Sequence, residues 1–275
     1  MILNVTIAAV AALTTALLTP LACIYVPQRK LEGRRYSKTK PLHEKGKAKL
    51  IAHRGLSGLY LENTVEAFEA AGQKGYYGIE TDVHVTKDGK FIVTHDDDLK
   101  RIAGLDLIVE ETDYETLRGL RFQDPYGKGI EEYCLPSLEE YLRICKKYDK
   151  QAILELKNKM RPQEVLAIAK EVEKLGWLHR TTFISFAGEN LVELRKGFPD
   201  ADAQYLVEKV GEKELAFMKK YRLDCDLKWS IATKKTVERL HEQGIKINCW
   251  TVDGVACAKI LTWYGIDYIT SNIIE

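Results

Sequence analysis

The residues of this chain that could do chemistry directly follow or interrupt short apolar runs. His53 and Arg54 come immediately after the apolar residues 50–52. Glu80 and Asp82 lie two residues apart in the run GIETDV, so in an extended strand both carboxylates point to the same side. An imidazole, a guanidinium and paired carboxylates at the ends of apolar strands indicate a functional site.

The same pattern recurs further along the chain. His95 ends the run FIVTH, and Glu155 and Lys157, also two residues apart, close the run AILELK. Trp250 lies in the run INCWTV. If the strands are parallel, all of these residues approach the same end of one sheet or barrel.

Together these residue types suggest a metal site with acid–base groups beside it. Three carboxylates, Glu80, Asp82 and Glu155, would repel one another without a cation, and oxygen-only ligands suit a hard divalent ion such as Mg²⁺ or Ca²⁺. The imidazoles of His53 and His95 could serve as general acid and base because histidine titrates near neutral pH.

The basic residues extend this interpretation to a phosphate-containing substrate. Arg54 and Lys157 supply positive charge for an anion, and a guanidinium suits bidentate recognition of phosphate. A metal, two histidines, an arginine and a lysine together describe phosphodiester cleavage. In that reaction charge builds on the non-bridging oxygens, where the metal and the arginine would stabilise it.

Taken singly, each of these residues has an ordinary structural explanation. Glu80 can be an exposed strand residue beside a lysine, and Glu155 and Lys157 can form a surface ion pair. A lone histidine can be a hydrogen-bonded core residue, and Trp250 can be plain core. His84 is better explained by packing, or by support of a ligand, than by ligation. These explanations do not account for the fact that so many polar residues occur together at the ends of predicted apolar strands.

The elements that must position these residues alternate along residues 50–275. The strand candidates are LIAH, GIETDV, FIVTH, AILEL, TTFISF, AQYLV, LDCDLKW, INCWTV and DYIT. Strands alternating with amphipathic helices of about 10–15 residues predict βαβ units and a parallel sheet. Eight or nine strands over this length predict an α/β fold, a (β/α)₈ TIM barrel, whose active residues lie at the carboxyl ends of its strands.

Two local signals refine this prediction. The segment VTKDGK is too short for a crossover helix, and Asp88-Gly89 is a hairpin signal, so the barrel is expected to be somewhat irregular with a surplus strand. Asn63 with Glu66, and Ser137 with Glu140, have capping-box spacing and predict helix starts. A cap at Asn63 would leave Glu62, directly before it, unexplained.

The N-terminal region predicts a membrane attachment. Residues 1–27 carry no charged side chain, and a helix of that length can cross a bilayer. A cleaved secretory signal, or a lipoprotein signal sequence that ends at Cys23, would have basic residues before its apolar segment, and no Lys or Arg precedes this one. We therefore expect a transmembrane anchor at 1–27, a basic juxtamembrane linker at 28–49 and a barrel domain at 50–275.

The charge distribution gives an orientation and excludes one class of partner. Residues 28–49 contain nine Lys or Arg and two Glu, so the positive-inside rule predicts a single-pass membrane protein with a cytoplasmic catalytic domain. The same linker is expected to contact anionic lipid headgroups. The rest of the chain is mildly acidic, which excludes a basic nucleic-acid-binding face.

Several motifs resemble those of one enzyme family. The segments AHRG, LENT, IETDVHVTKDG, VTHDDDLKRIAG, LPSLEEYL, ELK and CWTVD occur in order. In this respect the chain resembles the glycerophosphodiester phosphodiesterases over residues 50–275. The resemblance implies a phospholipase-C-like TIM barrel with one divalent metal. By the family pattern, the metal ligands are Glu80, Asp82 and Glu155, the acid–base pair is His53 and His95, and the substrate-binding residues are Arg54, Glu62, Lys157 and Trp250.

The expected function is metal-dependent hydrolysis of glycerophosphodiesters to glycerol 3-phosphate and an alcohol by histidine acid–base catalysis. One alternative keeps the chemistry and changes the substrate: a lysophospholipase D acting on lysophospholipids, favoured by an anchor close to lipid. A second alternative is a non-catalytic lipid or phosphate sensor. One departure from the family is visible, because the tail YITSNIIE has Ser-Asn where many relatives have Thr-Asp followed by proline.

Overall fold

The structure, a computed structural model, describes residues 36–124 and 132–275. The predicted transmembrane anchor at 1–27 lies outside the described residues, as does the first part of the predicted linker, 28–35. None of the helices within the described ranges has the length and hydropathy needed to cross a membrane.

Nine strands lie within these ranges, and eight of them close a parallel barrel. Their bounds are β1 Lys49–Ala52, β2 Gly78–Val85, β3 Phe91–Val93, β4 Gln151–Leu156, β5 Thr181–Ser185, β6 Asp202–Val207, β7 Asp224–Lys228, β8 Ile247–Trp250 and β9 Tyr268–Ser271. The barrel runs β1, β2, β4, β5, β6, β7, β8, β9 and returns to β1, with every pairing parallel. The predicted (β/α)₈ barrel is thereby confirmed.

The surplus strand is β3, which pairs antiparallel with the end of β2. Val83 pairs with Val93 and Val85 with Phe91, and the connection between them is the Asp88-Gly89 turn, where Gly89 has φ +77°. A left-handed residue in a tight turn favours glycine, which explains the hairpin.

Helices cover the outside of the barrel between the strands. Their bounds are α1 Val65–Gly72, α2 Lys100–Ala103, α3 Tyr114–Gly119, α4 Leu138–Lys147, α5 Pro162–Lys174, α6 Gly188–Gly197, α7 Glu212–Tyr221, α8 Lys234–His241 and α9 Val255–Tyr264, with 3₁₀ turns at Val109–Glu111, Leu178–Arg180 and Trp229–Ile231. The predicted capping box of Ser137 and Glu140 is present at the start of α4.

The predicted cap at Asn63 is wrong. Thr64 caps α1, because its hydroxyl accepts a hydrogen bond from the backbone N–H of Ala67. Asn63 instead has φ +53° and directs its side chain into the barrel. The capping-box spacing with Glu66 was misleading because threonine, one residue later, is also a favoured cap.

The barrel interior contains a separate apolar cluster below the strand ends. Ile51, Ile153, Ile184 and Leu206, from four different strands, form this inner apolar cluster and are almost completely buried. Burying an aliphatic side chain of this size contributes roughly 1.5–3 kcal/mol to folding. The cluster therefore supports the residues that follow it along the same strands.

The described part of the predicted linker packs on the barrel. Leu42 and Ala48 are buried, and Lys40 pairs in parallel with Ile274. The backbone N–H of Tyr36 donates to the carbonyl of Gly58 at 2.7 Å. Because the backbone N–H of Gly58 in turn donates to Asn272, directly after β9, Tyr36 lies near the carboxyl ends of β1 and β9.

Candidate active site

Three buried carboxylates meet at the carboxyl end of two neighbouring strands. Glu80 and Asp82 belong to β2 and Glu155 belongs to β4, where it pairs in register with Asp82. Each residue offers an oxygen atom, and these atoms all lie within 4.8 Å of one another. We call these residues the acidic triad. Its oxygen-only composition is that of a site for a hard divalent cation.

The electrostatics of the acidic triad favour the binding of a cation. Burial, and then the charge of Asp82, raises the pKa of Glu80 well above its usual range, and the same causes raise the pKa of Glu155. Burial opposes ionisation of Asp82 as well, but Arg54 and Lys157 outweigh it and hold the pKa of Asp82 below its usual range.

Asp82 also has an unsatisfied oxygen. Its Oδ1 is buried, and no group in the described part of the chain donates a hydrogen bond to it. Lys157 Nζ lies 3.6 Å away, within ion-pair distance but beyond a hydrogen bond. A buried carboxylate oxygen without a donor is costly, and a cation held by the acidic triad would remove that cost.

Basic groups partly neutralise the acidic triad. The backbone N–H of Arg54 donates to Glu80 Oε2 at 2.8 Å, and Arg54 Nε lies 3.4 Å from Asp82 Oδ2. Lys157 Nζ lies 3.0 Å from Glu155 Oε1. These two cations border the acidic triad and compensate part of its negative charge.

His53 follows β1 and reaches the acidic triad with one edge of its ring. Its Nε2 lies 3.9 Å from Glu80 Oε2, and its Nδ1 lies 2.7 Å from Asn272 Oδ1. Burial, and then the neighbouring Arg54, lowers the pKa of His53 to about 3. The ring is therefore neutral in the metal-free protein.

His95 follows β3 and has a different partner. Its Nδ1 lies 2.7 Å from Asp96 Oδ1, and its side chain is about one-third exposed, at 31 %. The ring lies close enough to the acidic triad that a positive charge on it would favour the ionised forms of Asp82 and Glu155. One imidazole thus contacts an amide and the other a carboxylate.

A chain of alternating charges connects the acidic triad with His95. Its members, in order of contact, are Asp82, Arg54, Glu62, Arg101, Asp96 and His95. Glu62 accepts from Arg54 Nη1 at 2.8 Å and from Arg101 Nη2 at 2.7 Å, and these partners outweigh burial and lower its pKa to about 2. Glu62 therefore holds Arg54 in place.

Trp250 ends β8 and is not a member of this chain of charges. It packs against the inner apolar cluster, and its ring meets that of Phe186 edge-on, with centroids 5.4 Å apart. Phe186 follows β5 and is 47 % exposed. The pair forms an apolar surface at the same end of the barrel.

The structure thus brings eight of the nine predicted site residues into one electrostatic network, and Trp250 lies beside that network with Phe186.

Sequence reasoning missed several contributors: Asn63, Asp96, Arg101, Phe186 and Asn272. Phe186 and Asn272 directly follow strands and Asp96 follows β3 by three residues, so the strand-end rule could have found them. Asn63 donates to Asp82 Oδ2 at 2.7 Å, but its cap-like spacing concealed this role. Arg101 had no local signal.

Comparisons with known proteins agree with this geometry. The model of the glycerophosphoryl diester phosphodiesterase family matches residues 53–275. A glycerophosphodiester phosphodiesterase of Bacillus altitudinis is 30% identical over 230 residues, 82% of this chain and 94% of that protein. A human lysophospholipase D is 40% identical over 77 residues, 26% of this chain and 24% of that protein.

A solved structure is similar over nearly the whole described chain. It is that of an Oleispira antarctica phosphodiesterase in complex with the product sn-glycerol-3-phosphate. The two structures superpose with a TM-score of 0.76 at 26% sequence identity, covering 85% of this chain and 96% of that one.

Proposed function

Because the chain belongs to the glycerophosphoryl diester phosphodiesterase family, we propose that it hydrolyses glycerophosphodiesters to glycerol 3-phosphate and an alcohol. The observation that carries this proposal is the buried acidic triad with Arg54, Lys157 and His53 in contact with it. Those are the groups that a phosphodiester needs for binding, for charge stabilisation and for proton transfer.

In this proposal Glu80, Asp82 and Glu155 hold one divalent cation, Mg²⁺ or Ca²⁺. The support is the oxygen-only ligand set, its burial and the undonated oxygen of Asp82. When bound, the cation supplies positive charge for the non-bridging phosphate oxygens. The rest of the chemistry belongs to side chains of this chain.

Arg54 and Lys157 are proposed to bind the phosphate. Both already lie against carboxylates of the acidic triad, so a substrate phosphate beside these carboxylates would find two donors within reach. Glu62 lines the site and fixes the guanidinium of Arg54 through the 2.8 Å contact. A guanidinium held from one side leaves its remaining N–H groups for the phosphate.

His53 and His95 are proposed to transfer the protons. One imidazole accepts the proton of the attacking hydroxyl as its oxygen bonds to phosphorus. The other donates a proton to the oxygen of the departing alcohol as its bond to phosphorus breaks. The attacking hydroxyl belongs to water or to the neighbouring position of the substrate glycerol. Trp250 is proposed to contact the glycerol or alkyl portion.

The test is a panel of glycerophosphodiesters incubated with the full chain, with and without chelator. We expect release of glycerol 3-phosphate that chelation abolishes and that added Mg²⁺ or Ca²⁺ restores. Hydrolysis of the panel at full rate in chelator would contradict the metal assignment. Stoichiometric cation binding with no hydrolysis of any phosphodiester would instead favour the non-catalytic sensor.

A second candidate is a lysophospholipase D. It is favoured by the similarity to a human lysophospholipase D, which is 40% identical over 77 residues. The rates of the full chain on glycerophosphocholine and on lysophosphatidylcholine in vesicles separate the two: a higher kcat/KM for the lysolipid would establish the second candidate.

We also propose a single-pass membrane protein whose catalytic domain is cytoplasmic. The support is the uncharged segment 1–27 followed by the basic residues of 28–49, which would lie against anionic lipid. Protease treatment of sealed inside-out and right-side-out vesicles is the measurement. Digestion of the barrel only from the cytoplasmic face is expected, and digestion only from the opposite face would overturn this topology.

A further inference from the structure

The side chain of Asn272, just after β9, lies between His53 and a carboxylate. Its Oδ1 lies 2.7 Å from His53 Nδ1, and its Nδ2 lies 2.7 Å from Asp253 Oδ2. Its backbone N–H also donates to Asp253 Oδ1 at 2.9 Å, and the hydroxyl of Ser271 donates to the same oxygen at 3.0 Å. Asp253 thus holds this turn with both carboxylate oxygens.

The carboxylate determines which way the amide of Asn272 points. A carboxylate only accepts hydrogen bonds, so the atom that faces Asp253 Oδ2 must be the NH₂ group. In the opposite orientation two oxygens would face each other at 2.7 Å. The hydroxyl of Ser57 lies 2.6 Å from Asn272 Oδ1 and 2.7 Å from the carbonyl oxygen of His53, and its one proton can be donated to either of these acceptors.

The orientation of the amide then determines the tautomer of His53. Because Asn272 presents an oxygen to Nδ1, the imidazole must carry its proton on Nδ1. In a neutral ring the lone pair is then on Nε2, the atom that lies 3.9 Å from Glu80. Without a partner, a neutral imidazole interconverts between both tautomers, and one of them has no lone pair at the site.

From this geometry we propose that Asn272, oriented by Asp253, is a positioning residue that holds His53 in the Nδ1–H tautomer, so that Nε2 receives the proton of the attacking hydroxyl. This inference rests on the proposed function. Proton balance is simple: the hydroxyl proton moves to Nε2 as its oxygen bonds to phosphorus. His95, hydrogen-bonded through Nδ1 to the carboxylate of Asp96, is left to protonate the departing oxygen.

The first test measures the tautomer in the metal-free protein. Nitrogen NMR of the full chain labelled with ¹⁵N-histidine, in chelator, should show His53 with a protonated Nδ1 and an unprotonated Nε2. A His53→Gln sample assigns the signals. In Asn272→Leu, which removes the acceptor, the two nitrogens should average towards equal protonation.

The kinetic counterpart separates a positioning role from a structural one. Asn272→Leu should lower kcat by roughly 10- to 100-fold, less than the 10²–10⁴-fold attributed to a general base, with KM nearly unchanged. Asn248→Leu is the matched control, because it makes the same change at another buried amide, whose side chain is hydrogen-bonded to Thr270 of β9. It should lower the unfolding temperature but leave the tautomer and kcat as in the wild type.

A pair exchange provides the sharpest test. Asn272→Asp alone would place two carboxylates at the 2.7 Å contact and should lower kcat and stability. In the double variant Asn272→Asp/Asp253→Asn, the amide introduced at position 253 can donate to the carboxylate introduced at position 272, which still accepts from His53 Nδ1. The double variant should recover the Nδ1–H tautomer and a kcat within about tenfold of the wild type.

The outcomes separate this inference from the proposed function. An active wild type whose Asn272→Leu variant keeps both tautomer and kcat overturns the inference alone. A lower kcat with an unchanged tautomer overturns it too, because the residue would then act through the fold. If the wild type hydrolyses no diester, the proposed function fails, and the NMR spectra still determine whether Asn272 sets the tautomer.

Discussion

The barrel interior contains two regions, one directly above the other on the same strands. The side chains of one are packed entirely by apolar neighbours, while those of the other include buried charges. The inner apolar cluster contains Ile51, Ile153 and Ile184, which are packed on all sides. His53, Glu155 and Phe186 lie two residues further along the chain from these three isoleucines and face the same way. Together with the rest of the acidic triad and Trp250 they lie at the carboxyl end of the barrel, which we call the mouth.

The mouth buries charge that its own partners do not fully compensate. Asp82 keeps an oxygen that no described residue donates to, and the pKa of Glu80 is raised by burial and by Asp82. One step of two residues along a strand thus separates a region that stabilises the barrel from a region that depends on this stability to keep its charges buried. Substitutions in the two regions should therefore change different observables.

The largest effect is expected at the mouth, from His53→Ala and His95→Ala. Each should lower kcat by roughly 10²–10⁴-fold, equivalent to about 3–5 kcal/mol of activation free energy, because a general acid or base is lost. Steady-state kinetics and thermal unfolding are the measurements. Wild-type kcat in both variants would contradict the acid–base assignment, and unfolding temperatures near the wild-type value are the control for the fold.

The next effect belongs to the inner apolar cluster. Ile153→Ala should lower the free energy of unfolding by about 2–5 kcal/mol, because it removes buried aliphatic groups and leaves a cavity. The kcat of the folded fraction should change little, since no mouth residue is removed. Denaturant unfolding measures the loss. If Ile153→Ala kept full stability but lost activity, the inner apolar cluster would contribute to activity directly, and the proposed division between the two regions would be wrong.

A smaller effect, of opposite sign, should follow when a carboxylate is removed from the metal-free mouth. In chelator, Glu80→Gln should raise the free energy of unfolding at neutral pH, by less than Ile153→Ala lowers it. The reason is that a carboxyl group whose pKa is higher in the folded than in the unfolded protein destabilises the fold at pH values above its unfolded pKa. For the same reason, the free energy of unfolding of the metal-free wild type should increase as the pH falls through the range between the pKa of Glu80 in the folded protein and its lower pKa in the unfolded chain.

The matched measurement repeats both unfolding curves with a divalent cation added. The wild type should then be stabilised, as expected when a ligand binds only the folded state, and Glu80→Gln should respond much less. An equal response of both proteins would contradict a role for Glu80 in holding the cation.

The smallest effect is expected at the apolar edge of the mouth. Phe186→Ala removes the edge-on contact with Trp250, an interaction of roughly 0.5–1.5 kcal/mol. We expect KM to rise less than about tenfold, more for a diester with a long alkyl group than for glycerophosphocholine, and kcat to be unchanged. A lower kcat on both substrates would instead assign Phe186 to the reacting centre.

Much of the fold was predictable because its signals are local. All nine predicted strands are present, and the hairpin at Asp88-Gly89 and the capping box of Ser137 were identified from a few neighbouring residues. The same locality explains the error at Asn63. Its spacing with Glu66 is typical of a cap, while its actual partners, Thr81 and Asp82, lie in another element.

The sequence by itself determined the alternation of strands and helices and the residue types that end each strand, because periodicity and strand termination depend on near neighbours. Which groups meet was decided by tertiary structure alone. Closing the barrel brings His53 to Asn272, 219 residues away, and joins Glu62 to Arg101 and Asp96. Hydrogen bonds have a range of about 3 Å, so such partners are defined only once the chain is folded.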